Sequence, residues 1–243
     1  MTLVHRCAAA LLLLLAPWVA GAEESTYALD PVHTRVMFAV SHAGFSNPMG
    51  TISGTTGTLV FDPDDWSKAR VEAEIPLQRL ELGDAKWNAA VLAKNFLDAQ
   101  AHPVAKFVST RIEPIDATHA TVIGMLTLRG VSREVKLDVV LHQVRRHPMP
   151  PYRRTAGFSA TGTLSRKVFA ITAWPSVVGD EVEIRIEAEG TRKRGGAERE
   201  NHDECGNHET LLPLAFKKPV PRDPASRQES RRVRPGPSSV DRA

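Results

Sequence analysis

Apolar and polar side chains alternate with a period of two over much of the sequence between residues 23 and 191. In the segment ARVEAEIPL, Val71, Ala73 and Ile75 fall on one face, and charged residues fall on the other. The segment DEVEIRIEAEG, at 180–190, repeats this pattern. Successive side chains of a β-strand point to opposite faces, so both segments are predicted to be half-buried strands.

The same alternation predicts six further strands, in TRVMFAVSH, TISGTTGTLVFD, AKFVSTRIEPI, ATVIGMLTL, REVKLDVVLHQV and AGFSATGTLSR. The residues Arg129, Gly130 and Val131 separate two of these segments and predict a tight turn between paired strands. About eight strands with regularly spaced turns indicate an antiparallel sandwich or a closed barrel. Closure is the surest way to remove exposed strand edges.

The composition of individual strands favours the barrel. In RVMFAV, both faces are largely apolar, because Val36, Phe38 and Val40 alternate with Met37 and Ala39. One face can join the outer packing, whereas the other needs an apolar filling. In a barrel of about eight strands, that filling is either side chains or one small ligand. The strand pattern leaves these two alternatives open.

The N-terminus is predicted to be a signal peptide, residues 1–22. A short segment carrying Arg6 precedes the apolar run AAALLLLLA, and small residues at 20–22 supply a cleavage site. The apolar run is shorter than the about 20 residues that a membrane-spanning helix needs. We therefore expect a mature chain that begins at Glu23 and is periplasmic or secreted.

Charge divides the remaining chain into two parts, a folded domain and a tail. Residues 23–191 hold 18 Lys or Arg and 20 Asp or Glu, a net charge of −2, whereas residues 192–243 hold twelve and eight, a net charge of +4. The second segment lacks periodicity and is rich in Arg, Pro and Ser, so it is predicted to be a disordered basic tail. The basic character belongs to the tail, and no nucleic-acid partner is predicted for the folded part.

Catalytic and metal-binding patterns are weak. The folded part contains no Gly-x-Ser-x-Gly elbow, no phosphate-binding glycine loop and no cysteine. His202, Cys205 and His208 are spaced by three in the tail, but such a trio in a polar run is more often accidental. His33 and His42 have opposite parity and would face opposite sides of one strand. No catalytic residue and no metal ligand is predicted.

Several ordered motifs resemble the YceI family over residues 26–190. The first is YALDPVHTRVMFAVSHAGFSNPMGTISGTTGTLVFDP, and the middle motifs are NFLDAQAHPVAKFVST and GMLTLRGVSREV. The last strands are similar in GFSATGTLSRKVFAI and VGDEVEIRIEAEG. The resemblance implies an all-β, lipocalin-like antiparallel β-barrel of about eight strands with a short helical cap.

The resemblance also implies a ligand, namely a long isoprenoid chain such as a polyprenyl or quinone tail, with no other cofactor. The segment at 95–103 would be the helical cap, with Phe96 and Leu97 turned inward and Pro103 starting the next strand. Transient membrane contact suits such a ligand, and the oligomeric state stays open, a homodimer included. The predicted ligand-binding residues are Phe38, Val40, His42, Phe45, Phe61, Phe96, Leu97, His102, Phe107, Phe158 and Phe169.

The sequence departs from the family just before the cap. Many members carry Arg-Asp-x-His-Leu-Arg there, whereas this chain has WNAAVLAKNF. A quinone or a plain apolar chain is therefore favoured over a pyrophosphate. Two alternatives stay open: an enzyme acting on the held lipid with His33, His42 or His102 as acid or base, and a structural or stress-response domain with a filled core.

Overall fold

A computed structural model of the protein describes residues 24–194. The predicted signal peptide, 1–22, and residues 195–243 of the predicted tail, 192–243, lie outside these residues, so both stay predictions. The tail was predicted to begin at residue 192, but Arg192 is the last residue of the final strand. Within the described part, no helix is both long enough and apolar enough to cross a membrane.

The described residues form eleven β-strands and one α-helix. The first six strands are β1 (Ser25–Leu29), β2 (Arg35–His42), β3 (Met49–Ile52), β4 (Thr56–Phe61), β5 (Arg70–Pro76) and β6 (Leu80–Glu81). The helix α1 (Ala85–Leu92) follows, and then come β7 (Val104–Pro114), β8 (His119–Leu128), β9 (Val131–Arg146), β10 (Arg154–Ser165) and β11 (Val178–Arg192). Single 3-10 turns lie at Trp66–Lys68, Leu77–Arg79 and Lys167–Phe169.

These strands form one closed antiparallel barrel. Their order is β1-β4-β5-β7-β8-β9-β10-β11-β2-β3-β6, and pairing of β1 with β11 closes the ring. Both β1 and β2 pair with β11, at opposite ends of that strand. Because β1 with β2, β3 with β4, and β5 with β6 each share a position, eleven strands occupy eight positions. The predicted fold class is confirmed.

Two turns each divide one strand position of the barrel into two strands. Asp30 ends β1, and its carboxylate accepts the N–H of Val32 at 2.8 Å. Gly54 has φ +79°, a left-handed conformation that glycine adopts readily, and it separates β3 from β4. The predicted strand TISGTTGTLVFD is therefore two strands, and β1 itself was not predicted.

The helical cap lies earlier in the chain than predicted. Asp84 caps α1 by accepting the backbone N–H groups of Lys86 and Trp87, each at 2.9 Å. The helix ends at Leu92, and residues 93–102 form consecutive turns rather than a helix. Asp98, at φ +48°, is incompatible with a continuous helix there. Strand β7 begins directly after Pro103, as predicted.

One end of the barrel is closed by aromatic packing. The ring centroids of Phe61 and Trp66 are 5.1 Å apart, and those of Phe61 and Phe158 are 5.3 Å apart, both edge to face. Tyr27 is fully buried in the same cluster. This aromatic plug closes the end of the barrel that lies away from α1.

Candidate ligand-binding cavity

The barrel encloses a cavity of about 450 Å³. This volume falls within the roughly 300–1,000 Å³ of typical ligand pockets. The inward rows of the strands form the wall, as the period-two pattern requires: Val36, Phe38 and Val40 on β2, and Val182, Ile184, Ile186 and Ala188 on β11. The interior is thus not completely filled by side chains.

The cavity wall is almost entirely apolar. No Asp, Glu or Lys belongs to the described residues that line it. The polar lining residues are Thr34, Ser41, His42, Thr55 and Arg166. Such a wall suits a ligand that is mainly hydrocarbon, because burying polar groups without partners is costly.

Most of the predicted site residues meet at this cavity. Eight of them line it: Phe38, Val40, His42, Phe96, Leu97, Phe107, Phe158 and Phe169. Phe96 and Leu97 point inward as predicted, although they lie in turns rather than in a helix. The shared lining is a finding about geometry, and contact with a ligand stays a prediction.

Three predicted residues do not line the cavity. Phe45 is 92% exposed, because Ala43 and Gly44 adopt left-handed conformations that turn the chain outward after β2. Phe61 is buried in the aromatic plug. His102 packs beneath the turn between β8 and β9, where a Cβ on Gly130 would lie 2.8 Å from its ring.

The cavity opens at the end capped by α1, and we call this opening the mouth. His42, Trp87, Phe96 and Trp174 line it. The rings of His42 and Trp87 are 5.9 Å apart, and those of Phe96 and Trp174 are 6.0 Å apart. Trp87 and Trp174 also reach solvent. The period-two pattern did not identify either Trp, since neither lies on a strand.

A buried arginine shapes one side of the mouth. Arg166 is 5% exposed, and its guanidinium donates to the carbonyl oxygens of Ile171, Ala173, Val178 and Gly179 at 2.7–2.9 Å. Four carbonyl dipoles thereby stabilise the charge in place of a carboxylate. Nothing in the sequence around Arg166 predicted this role, because its partners are backbone carbonyl groups of the segment that follows it.

A second arginine joins three segments around the mouth. Arg129, in the turn between β8 and β9, donates from Nη1 to the carbonyl oxygen of Ala170 at 2.7 Å. Its Nη2 donates to the carbonyl oxygen of Lys94 at 3.0 Å. The turns after α1 and the loop after β10 are therefore both held by one side chain.

The other candidate acid–base residues lie away from the cavity. His33 is exposed beside Asp30, 2.8 Å away, and near Glu189. The hydrogen bond to Asp30 and its negative charge raise the pKa of His33. Burial alone would raise the pKa of the Asp30 carboxyl. Hydrogen bonds from the His33 side chain and from two backbone N–H groups outweigh burial and hold this pKa below its usual range. Of the three histidines considered, only His42 reaches the cavity.

Comparison with known proteins identifies the family. The model of the YceI-like domain matches residues 27–190. The chain belongs to the YceI family. Among YceI-family relatives, a UPF0312 protein of Pectobacterium atrosepticum is 32% identical over 173 residues, which is 71% of this chain and 88% of the relative. A UPF0312 protein of Serratia proteamaculans is 33% identical over 162 residues, 67% of this chain and 83% of the relative.

Solved structures show the same YceI fold. BcnA of Burkholderia cenocepacia matches with a TM-score of 0.60 and 26% identity, covering 67% of this chain and 99% of BcnA. The YceI protein of Campylobacter jejuni matches with a TM-score of 0.54 and 22% identity over 62% of this chain and 88% of its own. A polyisoprenoid binding domain from Saccharophagus degradans matches with a TM-score of 0.51 and 11% identity, over 70% and 100%.

Proposed function

We propose that this protein is an exported lipid-binding protein that holds a polyisoprenoid or isoprenoid-quinone chain inside its barrel. The observation that carries the proposal is the apolar cavity of about 450 Å³, whose described lining residues include no acidic side chain and no lysine. Family membership and the polyisoprenoid binding of the Saccharophagus degradans domain support the same class of ligand.

Hydrophobic transfer supplies enough free energy for such a ligand without a polar anchor. At about 0.8 kcal/mol per buried CH₂, one isoprene unit contributes on the order of 3 kcal/mol of gross transfer free energy. Eight units would exceed the practical affinity limit of about 20 kcal/mol, so ordering of the chain and incomplete burial must offset much of the sum. Chain-length preference should therefore depend on the length of the cavity.

The arrangement of Arg166 favours a quinone or a plain apolar chain over a pyrophosphate. Its guanidinium is the only formal positive charge among the described lining residues, and four of its five N–H groups already donate to carbonyl oxygens. A pyrophosphate would need several free cationic donors. We propose no enzymatic step, and His42 is the residue to substitute if the bound lipid proves chemically altered.

Lipid extraction from protein purified from its own host tests this proposal. We expect native mass spectrometry of the full chain to show a bound mass that organic solvent removes and that matches an isoprenoid lipid. A folded protein that carries no lipid, and that binds none of an added series of isoprenoid quinones, would contradict the proposal.

Export is part of the proposal and needs its own measurement. It rests on the residues Arg6, the following apolar run and the small residues at 20–22. We expect the protein in the periplasmic or extracellular fraction to begin at Glu23 when its N-terminus is sequenced. Protein that stays in the cytoplasm with residues 1–22 intact would contradict export while leaving lipid binding untouched.

A further inference from the structure

Four large apolar side chains are exposed around the mouth, and we call this set the rim. Phe45 is 92% exposed, Met49 76%, Trp87 46% and Trp174 62%. Trp87 and Trp174 also line the cavity, so the apolar surface continues from the interior to the outside. Several large apolar side chains exposed around one opening are typical of an interaction site.

Hydrogen bonds and ring contacts hold the rim segments together. The N–H of Ala43, two residues before Phe45, donates to the carbonyl oxygen of Val177. The N–H of Val177 donates in turn to the carbonyl oxygen of Trp174 at 3.0 Å. On the other side, the ring of His42 contacts that of Trp87. The rim therefore surrounds one opening and is not a set of scattered residues.

The charge of the mouth differs in sign from that of the rest of the folded part. The segments around it, 42–50, 82–102, 128–133 and 165–180, contain six Lys or Arg and three Asp or Glu, a net charge of +3. Residues 23–191 as a whole carry −2, which leaves −5 for the remainder. The positively charged mouth is thus attracted to an anionic surface, whereas the negatively charged remainder of the barrel is repelled by such a surface.

We propose that the rim docks the barrel, mouth first, on an anionic lipid bilayer. Tryptophan side chains favour the interface between headgroups and acyl chains, and neighbouring cations add attraction to anionic lipids. Docking would let an isoprenoid chain move between the bilayer and the cavity without crossing water. This inference rests on the proposed lipid-binding function and adds the surface from which the ligand is exchanged.

Co-sedimentation with vesicles tests the docking surface. The full chain is mixed with vesicles of equal parts phosphatidylcholine and phosphatidylglycerol. We expect Phe45→Ser to lower the partition coefficient about tenfold, because one exposed aromatic side chain no longer enters the interface. The matched control is Ile115→Ser: Ile115 is 68% exposed but lies after β7, a strand that starts beside the mouth and ends at the opposite side.

A charge reversal tests the electrostatic part separately. Lys86→Glu, on the exposed side of α1, changes the charge beside the mouth by two units. It should weaken binding to the anionic vesicles about tenfold at low salt. Lys136→Glu, on the outer wall of β9, makes the same change away from the mouth and should have much less effect. Circular dichroism confirms that each variant is folded. Should Phe45→Ser not fold, Met49→Ser replaces it and Ile115→Ser stays the control.

Fluorescence quenching by brominated phosphatidylcholine shows which residues enter the bilayer. In a Trp18→Phe background, the described tryptophans are Trp66, Trp87 and Trp174, and Trp66 is buried. We expect the brominated lipid to quench tryptophan fluorescence when the protein binds the vesicles, and we expect Trp174→Phe to reduce this quenching. Binding that Ile115→Ser weakens as much as Phe45→Ser, or an absence of quenching, overturns the inference.

Isoprenoid-quinone affinity measured without vesicles distinguishes this inference from the proposed function. A protein that holds the quinone and ignores vesicles overturns docking alone. A protein that docks through Phe45 and holds no isoprenoid overturns the proposed function alone.

Discussion

Replacing Phe107 by Trp tests whether the cavity wall determines the length of the bound chain. Phe107 lines the cavity and is 8% exposed. Its ring lies over Gly124, where a Cβ would be 2.5 Å from Phe107 Cζ. The ring is thus confined on the wall side, and the larger indole must extend into the cavity. The substitution should shorten the space for a ligand without removing any polar contact.

The expected magnitude follows from the displaced hydrocarbon. An indole exceeds a phenyl ring by about three heavy atoms and displaces roughly two methylene equivalents, or about 1.6 kcal/mol at about 0.8 kcal/mol per CH₂. That corresponds to about a tenfold loss of affinity for chains that fill the cavity. Chains short enough to leave space free should bind as they do to the unmodified protein.

Competition among isoprenoid quinones of increasing chain length measures this effect. The preferred length should decrease in Phe107→Trp and stay unchanged in Glu183→Gln, an exposed position on β11. Far-ultraviolet circular dichroism establishes that the barrel is intact. A folded Phe107→Trp protein with unchanged length preference would remove Phe107 from the binding site and refute the reasoning.

Four further predictions concern stability and order. Phe61→Ala should lower the free energy of unfolding in urea by about 3–5 kcal/mol and leave the preferred quinone length unchanged. A changed preference would contradict the placement of Phe61 outside the ligand-binding cavity. Arg166→Met leaves four carbonyl groups without their donor, so backbone hydrogen exchange in 171–179 should accelerate, and unchanged exchange there would contradict its role. The hydrogen bond from the N–H of Thr118, followed by that with His119, lowers the pKa of Asp116 to about 2. The stability that this carboxylate contributes is complete above about pH 4 and is lost as the pH falls towards about 2. Asp116→Asn should therefore reduce the loss of unfolding free energy on the acid side. A titration of the Asp116 carboxyl near pH 4, measured by NMR, would contradict this. Deletion of 195–243, which lies outside the described residues, should leave the thermal midpoint nearly unchanged, and a loss of more than a few degrees would show that the tail contributes to the fold.

The sequence predicted the barrel and most of its inward rows because both follow from alternation. Val71, Ala73 and Ile75 were assigned to one face of a strand, and they line the cavity. The prediction failed where a local backbone conformation overrides the pattern. Phe45 lies in a motif that resembles the YceI family, but two left-handed residues before it, Ala43 and Gly44, direct its side chain into solvent.

Features held by capping and side-chain-to-backbone hydrogen bonds were also beyond the alternation pattern. The position of α1 depends on the Asp84 cap, a helix-start signal that the alternation of strand residues does not contain. Arg166 bonds to carbonyl oxygens that carry no side-chain signature. Phe61 was predicted to bind the ligand and is buried in the aromatic plug, because alternation cannot distinguish a residue that lines a cavity from one that fills the end of a barrel.

The pairing of β1 with β11 has a consequence for biosynthesis. Tyr27 pairs with Arg192, so the first and last strands of the described chain must meet before the ring can close. Contacts of such large sequence separation form slowly, because the intervening chain must first be ordered. A ribosome must therefore complete β11 before the native barrel can exist. Until then the chain lacks the pairing that closes the ring, so a shorter nascent chain cannot contain the complete barrel.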